Sequence, residues 1–145
     1  MTVITDTVDL AVAQERAFAL LSDRANELKW NDDCLSFTPV DGGALRVGWR
    51  CRQKWRGGPT LTLECIALDG PNAVTYRNGG PLSITSTARF ATTGDGTELT
   101  YEFEIEPRGI GHLFGRAFIS KMESQIPRNM KIIKAWVESE SPDGP

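Results

Sequence analysis

The sequence predicts an α+β fold in which one long C-terminal helix packs against an antiparallel β-sheet. Apolar residues recur at helical spacing for about seven turns, at Ile110, Leu113, Phe114, Ala117, Phe118, Met122, Ile126, Met130, Ile133 and Val137. At about 1.5 Å per residue, such a helix is roughly 40 Å long. Most of the chain before it has the two-residue alternation of strands. Because the concave face of that sheet is the surface available to bury the stripe, we expect a ligand cavity between the two.

The elements before the last hairpin follow from local patterns. Period-two alternation and β-branched residues indicate strands, whereas an apolar spacing of three and four indicates the early helix. The turn at 41–43 is an Asp-Gly-Gly sequence, which ends the preceding strand. The predicted elements are a strand at 3–10, a helix at 13–23, a helical turn at 26–30, and strands at 34–40, 46–56 and 73–78.

The first predicted hairpin turns at Gly57, Gly58 and Pro59. A three-residue loop pairs Arg56 with Thr60, which places Cys51 opposite Cys65 and Arg52 opposite Glu64. The inward face is Val47, Trp49, Cys51, Gln53 and Trp55, and the outward face is Gly48, Arg50, Arg52, Lys54 and Arg56. The simplest interpretation of the basic row is a solvated exterior.

The second predicted hairpin has a two-residue loop, Gly94 and Asp95. This loop fixes the register, with Phe90 opposite Leu99, Ala88 opposite Tyr101, Ser86 opposite Phe103 and Ile84 opposite Ile105. The outward face of the last strand, at 97–106, then carries Glu98, Thr100, Glu102, Glu104 and Glu106.

Length and composition narrow the class of protein. With 145 residues, we expect one domain at 1–138 and a flexible polar tail at 139–145. Lys plus Arg number 16 and Asp plus Glu number 19, giving a net charge of −3, which argues against nucleic acid as a partner. The sequence lacks an apolar run of membrane-spanning length and a signal peptide. Three cysteines without a CxxC pair are typical of reduced thiols, so we expect a cytoplasmic protein.

Several segments together resemble the START-like (SRPBCC) superfamily, in its polyketide cyclase/dehydrase-like branch. They are the run 12–23 with Trp30, the run Leu45-Arg46-Val47-Gly48-Trp49, the turn 68–71, the segment 94–100 and the terminal helix. The resemblance covers residues 3–138. It implies a helix-grip fold, with seven antiparallel strands wrapped around the C-terminal helix and two short helices after strand 1. It also implies a hydrophobic cavity, but not one reaction, because members include aromatases/cyclases, lipid carriers and hormone receptors.

The inward positions give the candidate ligand-binding residues, among which Gln53 and Tyr101 are the polar groups expected to orient a ligand. The full set is Trp49, Cys51, Gln53, Trp55, Tyr76, Phe90, Tyr101, Phe103, Phe114, Phe118 and Met122. Ordinary core packing is the alternative explanation for the aromatic members.

The candidate catalytic residues are Asp6, Tyr101 and His112. Asp6 shares the inward face of the first strand with apolar residues, where a carboxyl group can act as a general acid or base. His112 is the single histidine, and one histidine without further ligands does not predict a metal site. The glycines from Gly109 to Gly115 have GxGxxxG spacing rather than the dinucleotide fingerprint. We therefore expect no metal and no cofactor.

The sequence favours binding of a hydrophobic small molecule, aromatic, polyketide-like or lipid-like, by a carrier or sensor that is a monomer or homodimer. One alternative is an aromatase/cyclase-type enzyme that acts on a polyketide-like substrate in the same cavity. A second is a protein-interaction module that uses the charged outer faces of the sheet. Glycines at 109, 111 and 115 weaken the start of the terminal helix, so we expect residues 109–118 to move as a gate for the ligand.

Overall fold

The computed structural model describes residues 1–140, which form seven strands and three α-helices. The strands are β1 (Thr2–Leu10), β2 (Cys34–Pro39), β3 (Arg50–Trp55), β4 (Thr60–Asp69), β5 (Ala73–Asn78), β6 (Leu82–Thr93) and β7 (Gly96–Pro107). The helices are α1 (Gln14–Ser22), α2 (Glu27–Trp30) and α3 (Gly115–Glu140), with 3-10 turns at Arg24–Asn26 and Gly109–Leu113. Of the predicted tail, Ser139 and Glu140 are helical, and residues 141–145 lie outside the described residues.

The seven strands form one antiparallel sheet in the order β1-β7-β6-β5-β4-β3-β2. The sheet is not closed, so β1 and β2 are its two edges. The long helix α3 ends the described chain, and α1 and α2 lie between the first two strands. The predicted α+β helix-grip fold is therefore confirmed. None of the helices within residues 1–140 is long and apolar enough to cross a membrane.

The register of the second hairpin is confirmed, and that of the first is wrong by two residues. Strand β3 pairs Arg50 with Glu64 and Lys54 with Thr60, so the loop has five residues rather than three. The Arg56 amide donates to the Asp33 carbonyl (2.7 Å) instead of pairing with Thr60. A shift of two residues preserves the faces of the strand, and Cys51 accordingly stays inward but lies opposite Leu63.

The predicted strand at 46–56 begins only at residue 50. The Trp49 amide donates to the Arg46 carbonyl (3.0 Å), which closes a turn before β3. Gly48 has a φ of +93° in this turn, a conformation that glycine adopts without strain. The side chain of Val47, predicted to face inward, is therefore 61% exposed.

The apolar stripe of the terminal helix meets the sheet only along its second half. Ile126, Met130, Ile133 and Val137 are buried, whereas Ile110, Leu113 and Phe114 are 66%, 79% and 62% exposed. Residues 109–113 form a 3-10 turn, which has fewer residues per turn than an α-helix. The helical phase therefore changes before α3, and the apolar residues ahead of it do not continue the buried stripe.

Helix α3 also covers the edge strand β1 through two charged side chains. Lys134 Nζ donates to the Asp9 carbonyl (2.6 Å), and the Ala11 amide donates to Glu138 Oε2 (2.8 Å). The two side chains pair with each other at 2.7 Å, one helical turn apart. Desolvation of the Glu138 carboxyl is outweighed by its hydrogen bonds to Lys134 and Ala11, so its pKa is lowered.

The start of α3 and the 3-10 turn before it pack closely against Pro81 and Pro107 of the same polypeptide. A Cβ atom at Gly111 would collide with the Pro81 carbonyl oxygen, and one at Gly115 would lie 2.8 Å from Pro107 Cγ. The Arg108 amide donates to the same Pro81 carbonyl (2.6 Å). These close contacts argue against the freely moving gate expected from the glycine spacing.

Replacing Gly111 with alanine is expected to lower the free energy of unfolding by about 1–3 kcal/mol, because the backbone at residue 81 must move. The measurement is urea unfolding followed by circular dichroism. Gly79→Ala is the matched control, since its added Cβ would have nothing within 4 Å and its φ is not positive. Equal losses of unfolding free energy in the two variants would contradict the close packing of Gly111 against Pro81.

Candidate functional site

A cluster of buried polar side chains lies between α2 and strand β3. At its centre is Glu27, the first residue of α2, which is 8% exposed. Four donors reach its carboxylate: Arg24 Nη2 on Oε1 (2.7 Å), Gln53 Nε2 on Oε1 (3.3 Å), Asn31 Nδ2 on Oε2 (2.9 Å) and Trp55 Nε1 on Oε2 (2.6 Å). A carboxylate has about four lone-pair sites, so its accepting capacity is filled. We refer to Arg24, Glu27, Asn31, Gln53 and Trp55 as the Glu27 cluster.

Arg24 is held in one orientation by the cluster. It begins the 3-10 turn that Asp23 caps by accepting from the Ala25 amide (3.0 Å). Its Nε donates to Gln53 Oε1 (2.8 Å), and its guanidinium lies 5.2 Å from the centre of the Tyr76 ring, within cation–π range. Burial opposes the charge of Arg24, but the adjacent Glu27 carboxylate helps to outweigh it, so the pKa of Arg24 is raised.

A hollow of about 300 Å³ opens beside this arginine. It lies between the end of α1 and the loop that precedes β3, with Trp49 and Tyr76 as its aromatic walls. The lining residues are Ser22, Asp23, Arg24, Gly43, Ala44, Leu45, Trp49 and Tyr76. A second, much smaller space of about 10 Å³ is lined by Arg24, Glu27 and Tyr101 among others. Arg24 therefore borders both spaces.

Trp49 leaves a polar group unsatisfied next to the hollow. Its side chain is 8% exposed and stacks on Phe37, with ring centres 6.3 Å apart. Its indole Nε1 is buried and has no hydrogen-bond partner among the described residues. A buried donor without an acceptor costs about 1–3 kcal/mol, and because Nε1 has no accessible surface, Trp49 presents its apolar ring atoms to the hollow.

The predicted ligand-binding residues are distributed over several places. Trp49 and Tyr76 line the hollow, and Tyr101 lines the smaller space. Cys51 is buried and contacts Gln53. Gln53 and Trp55 belong to the Glu27 cluster. Phe90 is part of the hydrophobic core, and Phe103 and Met122 pack against that core. Phe118 is half-buried, and Phe114, predicted to face inward, is 62% exposed. Their roles in ligand binding remain predictions.

The three candidate catalytic residues do not converge. Asp6 and Tyr101 are direct neighbours across β1 and β7, and Asp6 Oδ1 accepts from the Thr7 amide (2.9 Å). His112 is exposed in the 3-10 turn after β7. Neither Asp6 nor His112 lines either of the two spaces described above. Their catalytic roles remain predictions.

Both tyrosines resist ionisation: Tyr76 is buried, and Tyr101 is half-buried with a desolvated phenol. Burial raises the pKa of Tyr101 to about 12, and it raises the pKa of Tyr76 further. The Arg24 charge partly counteracts both shifts. The Tyr76 hydroxyl also donates to the Ser22 carbonyl (2.9 Å). Neither phenol is therefore suited to lose a proton near neutral pH.

A spectroscopic pH titration should show this shift directly, because Tyr76 and Tyr101 are the two tyrosines of the chain. The folded protein retains its phenol protons above pH 10.0, the ordinary tyrosine value, whereas the unfolded chain loses them there. The folded state then binds more protons, so this contribution to stability is intact below pH 10.0 and is lost as the pH rises towards about 12. A rise in tyrosinate absorbance near pH 10 while the protein is still folded would contradict the raised pKa values. In the Tyr101→Phe variant, one of the two tyrosine ionisation steps should be absent.

The three cysteines are buried and free. Burial raises the pKa of the Cys51 thiol to about 11, and the pKa values of Cys34 and Cys65 are also raised by burial. These thiols are consequently protonated and poorly nucleophilic at neutral pH. Residues 1–140 contain no group of three or more His, Cys, Asp or Glu side chains placed to hold a metal ion.

The sequence interpretation missed Arg24, Glu27 and Asn31. One available signal was Gln53, a polar residue predicted to face inward, because a buried amide requires hydrogen-bond partners. A second was the spacing of Arg24 and Glu27, three residues apart in a helical segment, where side chains meet. Neither signal revealed that the side chains of Arg24 and Glu27 would both turn towards the sheet.

An open antiparallel sheet with a long terminal helix defines the helix-grip class, a fold suited to hydrophobic ligands. The hollow beside Arg24 is not the cavity predicted between the sheet and the terminal helix, because no residue of α3 lines it. The sequence profile of the family described as "Polyketide cyclase / dehydrase and lipid transport" matches residues 1–138. The chain therefore belongs to this family, and the resemblance to START-like proteins is confirmed. A comparison with curated protein sequences gives no match.

Solved structures share the fold at low sequence identity. TTHA0849 from Thermus thermophilus has a TM-score of 0.74 and 17% identity, over 97% of this chain and 99% of that one. DR_A0006 from Deinococcus radiodurans has a TM-score of 0.68 and 16% identity, over 98% and 99%. The di-domain ARO/CYC StfQ from the steffimycin biosynthetic pathway has a TM-score of 0.74 and 15% identity, over 97% of this chain and 52% of StfQ. Such identities show the fold alone.

Proposed function

We propose that this protein binds a hydrophobic small molecule in the hollow beside Trp49 and Tyr76, as a carrier or sensor. The observation that carries the proposal is the hollow of about 300 Å³, with two aromatic walls and a fixed arginine. This volume is at the lower end of the range of small-molecule sites, which are typically apolar with a few fixed polar groups. The family description, which includes both cyclases and lipid transport, is consistent with this class of ligand.

The groups around the hollow support binding over proton transfer. Tyr76 donates to a carbonyl and has a raised pKa, and the Glu27 carboxylate already accepts from four donors. A general acid or base needs a pKa near the working pH and access to the substrate. The aromatase/cyclase alternative would therefore depend on Asp23, the exposed carboxyl that lines the hollow.

Native mass spectrometry of the protein purified from its own host tests the proposal. We expect a stoichiometric bound molecule in the mass range of an aromatic or short-chain lipid compound. Ala44→Trp places a large ring in the lining of the hollow and should abolish retention. Ala135→Trp, at an exposed position on α3, should not. Retention of the same molecule by both variants would show that it binds elsewhere. The proposed function would be refuted if no sample held a bound molecule and an added hydrophobic probe showed no saturable binding.

A further inference from the structure

We propose that the hollow selects an electrically neutral ligand with an oxygen acceptor directed at Arg24, and that Glu27 is the positioning residue that orients Arg24 and cancels its charge. This inference rests on the proposed function, because it concerns the ligand of the same hollow. It specifies the chemical class of that ligand: an apolar body with a carbonyl or similar neutral oxygen, rather than a carboxylate or a plain hydrocarbon.

Arg24 has hydrogen-bonding groups that the described part of the chain does not use. Within residues 1–140, the hydrogen bonds of Arg24 use Nε and Nη2 and leave Nη1 unused. Arginine has five N–H donors and no acceptor. The hydroxyl of Tyr76 is already used to donate to the Ser22 carbonyl. Arg24 therefore brings an unused N–H group to the lining of the hollow, which an acceptor on the ligand would complement.

The orientation of Arg24 is fixed by its neighbours. Its side chain is 15% exposed, and that of its partner Glu27 is 10% exposed. Gln53, which is fully buried, bridges the two, accepting from Arg24 and donating to Glu27. With two of its nitrogens fixed in this way, the guanidinium plane is set before a ligand arrives. Such preorganisation reduces the entropic cost of binding.

The charges around the hollow disfavour an anionic ligand. The positive charge of Arg24 is offset by Glu27 at 2.7 Å, and Asp23 adds a carboxylate to the lining of the hollow. An anionic ligand would have to lose its hydration without finding a net positive charge, which is costly in a buried site. A neutral carbonyl gains a hydrogen bond from a charged donor without that cost. The electrostatics consequently favour a neutral acceptor.

Three probes of nearly equal shape separate these classes: methyl naphthyl ketone, naphthoate and ethylnaphthalene, each substituted at the same ring position. Their dissociation constants are measured by equilibrium dialysis at neutral pH, where naphthoate is ionised. We expect the ketone to bind about tenfold more tightly than the hydrocarbon, the gain typical of a hydrogen bond to a charged group. We expect a preference of about tenfold or more for the ketone over naphthoate, because of the uncompensated anion.

Glu27→Gln is the decisive variant, since it retains the shape of the side chain and removes its charge. Naphthoate should then gain about tenfold or more in affinity relative to the ketone, because Arg24 is left as a net positive charge. Asp41→Asn is the control, since Asp41 pairs with Arg50 at an exposed site (3.1 Å) away from the lining. If Glu27→Gln does not fold, Asp23→Asn replaces it, with an expected gain of a few-fold for naphthoate.

The outcomes of this experiment are distinct. Equal affinities for the three probes, or tightest binding of naphthoate by the natural protein, would overturn the inference and leave the proposed function standing. An unchanged ketone-to-naphthoate ratio in the folded charge variant would also overturn it. Failure of the natural protein to bind any of the probes, alongside the absence of a retained ligand, would overturn the proposed function and the inference together.

Discussion

Replacing Glu27 with alanine is expected to lower the free energy of unfolding by about 3–5 kcal/mol, the loss typical of breaking a buried ion pair. The substitution removes the acceptor of Arg24, Asn31 and Trp55 at once. Arg24 would remain in the interior as an uncompensated charge, and the indole N–H of Trp55 would lose its 2.6 Å partner. The cost arises mainly from the groups left behind rather than from the pair itself.

Chemical unfolding followed by circular dichroism provides the measurement, because it reports on the whole fold rather than on any one of the four tryptophans. Glu102→Ala is the matched control, since it breaks a single-contact surface pair with Arg89 (2.9 Å), and solvent-exposed pairs contribute little. If Glu27→Ala unfolds at the same denaturant concentration as the control, the Glu27 cluster does not stabilise the fold.

Ile133→Ala is expected to cost about 2–5 kcal/mol, the range for large-to-small substitutions in a core. Ile133 is 3% exposed and belongs to the stripe of α3 that packs on the sheet. Ile132, the preceding residue, is 39% exposed, and its replacement by alanine should change stability by less than about 0.5 kcal/mol. The same substitution at adjacent positions therefore tests the rotation of α3 against the sheet.

Both isoleucine variants are measured by thermal and urea unfolding under identical conditions. Because alanine is the better helix former, any loss at Ile133 cannot be attributed to helix propensity. A larger loss at Ile132 than at Ile133 would mean that the helix presents a different face to the sheet.

The two hairpins show what local sequence can and cannot determine. The Gly94-Asp95 loop has two residues, and its geometry alone fixes the pairing of β6 with β7. The loop between β3 and β4 depends on distant contacts, since Trp55 donates to Glu27 and Arg56 donates to Asp33. These tertiary hydrogen bonds draw the end of β3 away from β4. Within β3, from residue 50 onwards, the inward and outward faces were nevertheless correct, because a two-residue shift does not alter them.

The same distinction applies to the candidate site. Trp49 and Tyr76 were identified because alternation along the chain fixes the face to which a side chain belongs. Arg24 lies in a 3-10 turn, where no long periodic pattern predicts its direction, and its position depends on Glu27 and Gln53. The location of the hollow depends on the loop around residues 43–45, and the path of such a loop follows from packing rather than from residue type.

The contacts of Lys134 and Glu138 with β1 have a consequence for self-association. An edge strand with free backbone groups is a template on which a second molecule can add a strand, the first step towards aggregates. Lys134 occupies the Asp9 carbonyl and Glu138 occupies the Ala11 amide, so two charges stand at one end of that edge. The opposite edge, β2, has only six residues, a register irregularity after Cys34 and a proline at its end, features that discourage further pairing. One end of β1 is thus protected by α3, and a chain lacking the last turns of that helix would leave the Asp9 carbonyl and the Ala11 amide free to pair with another strand.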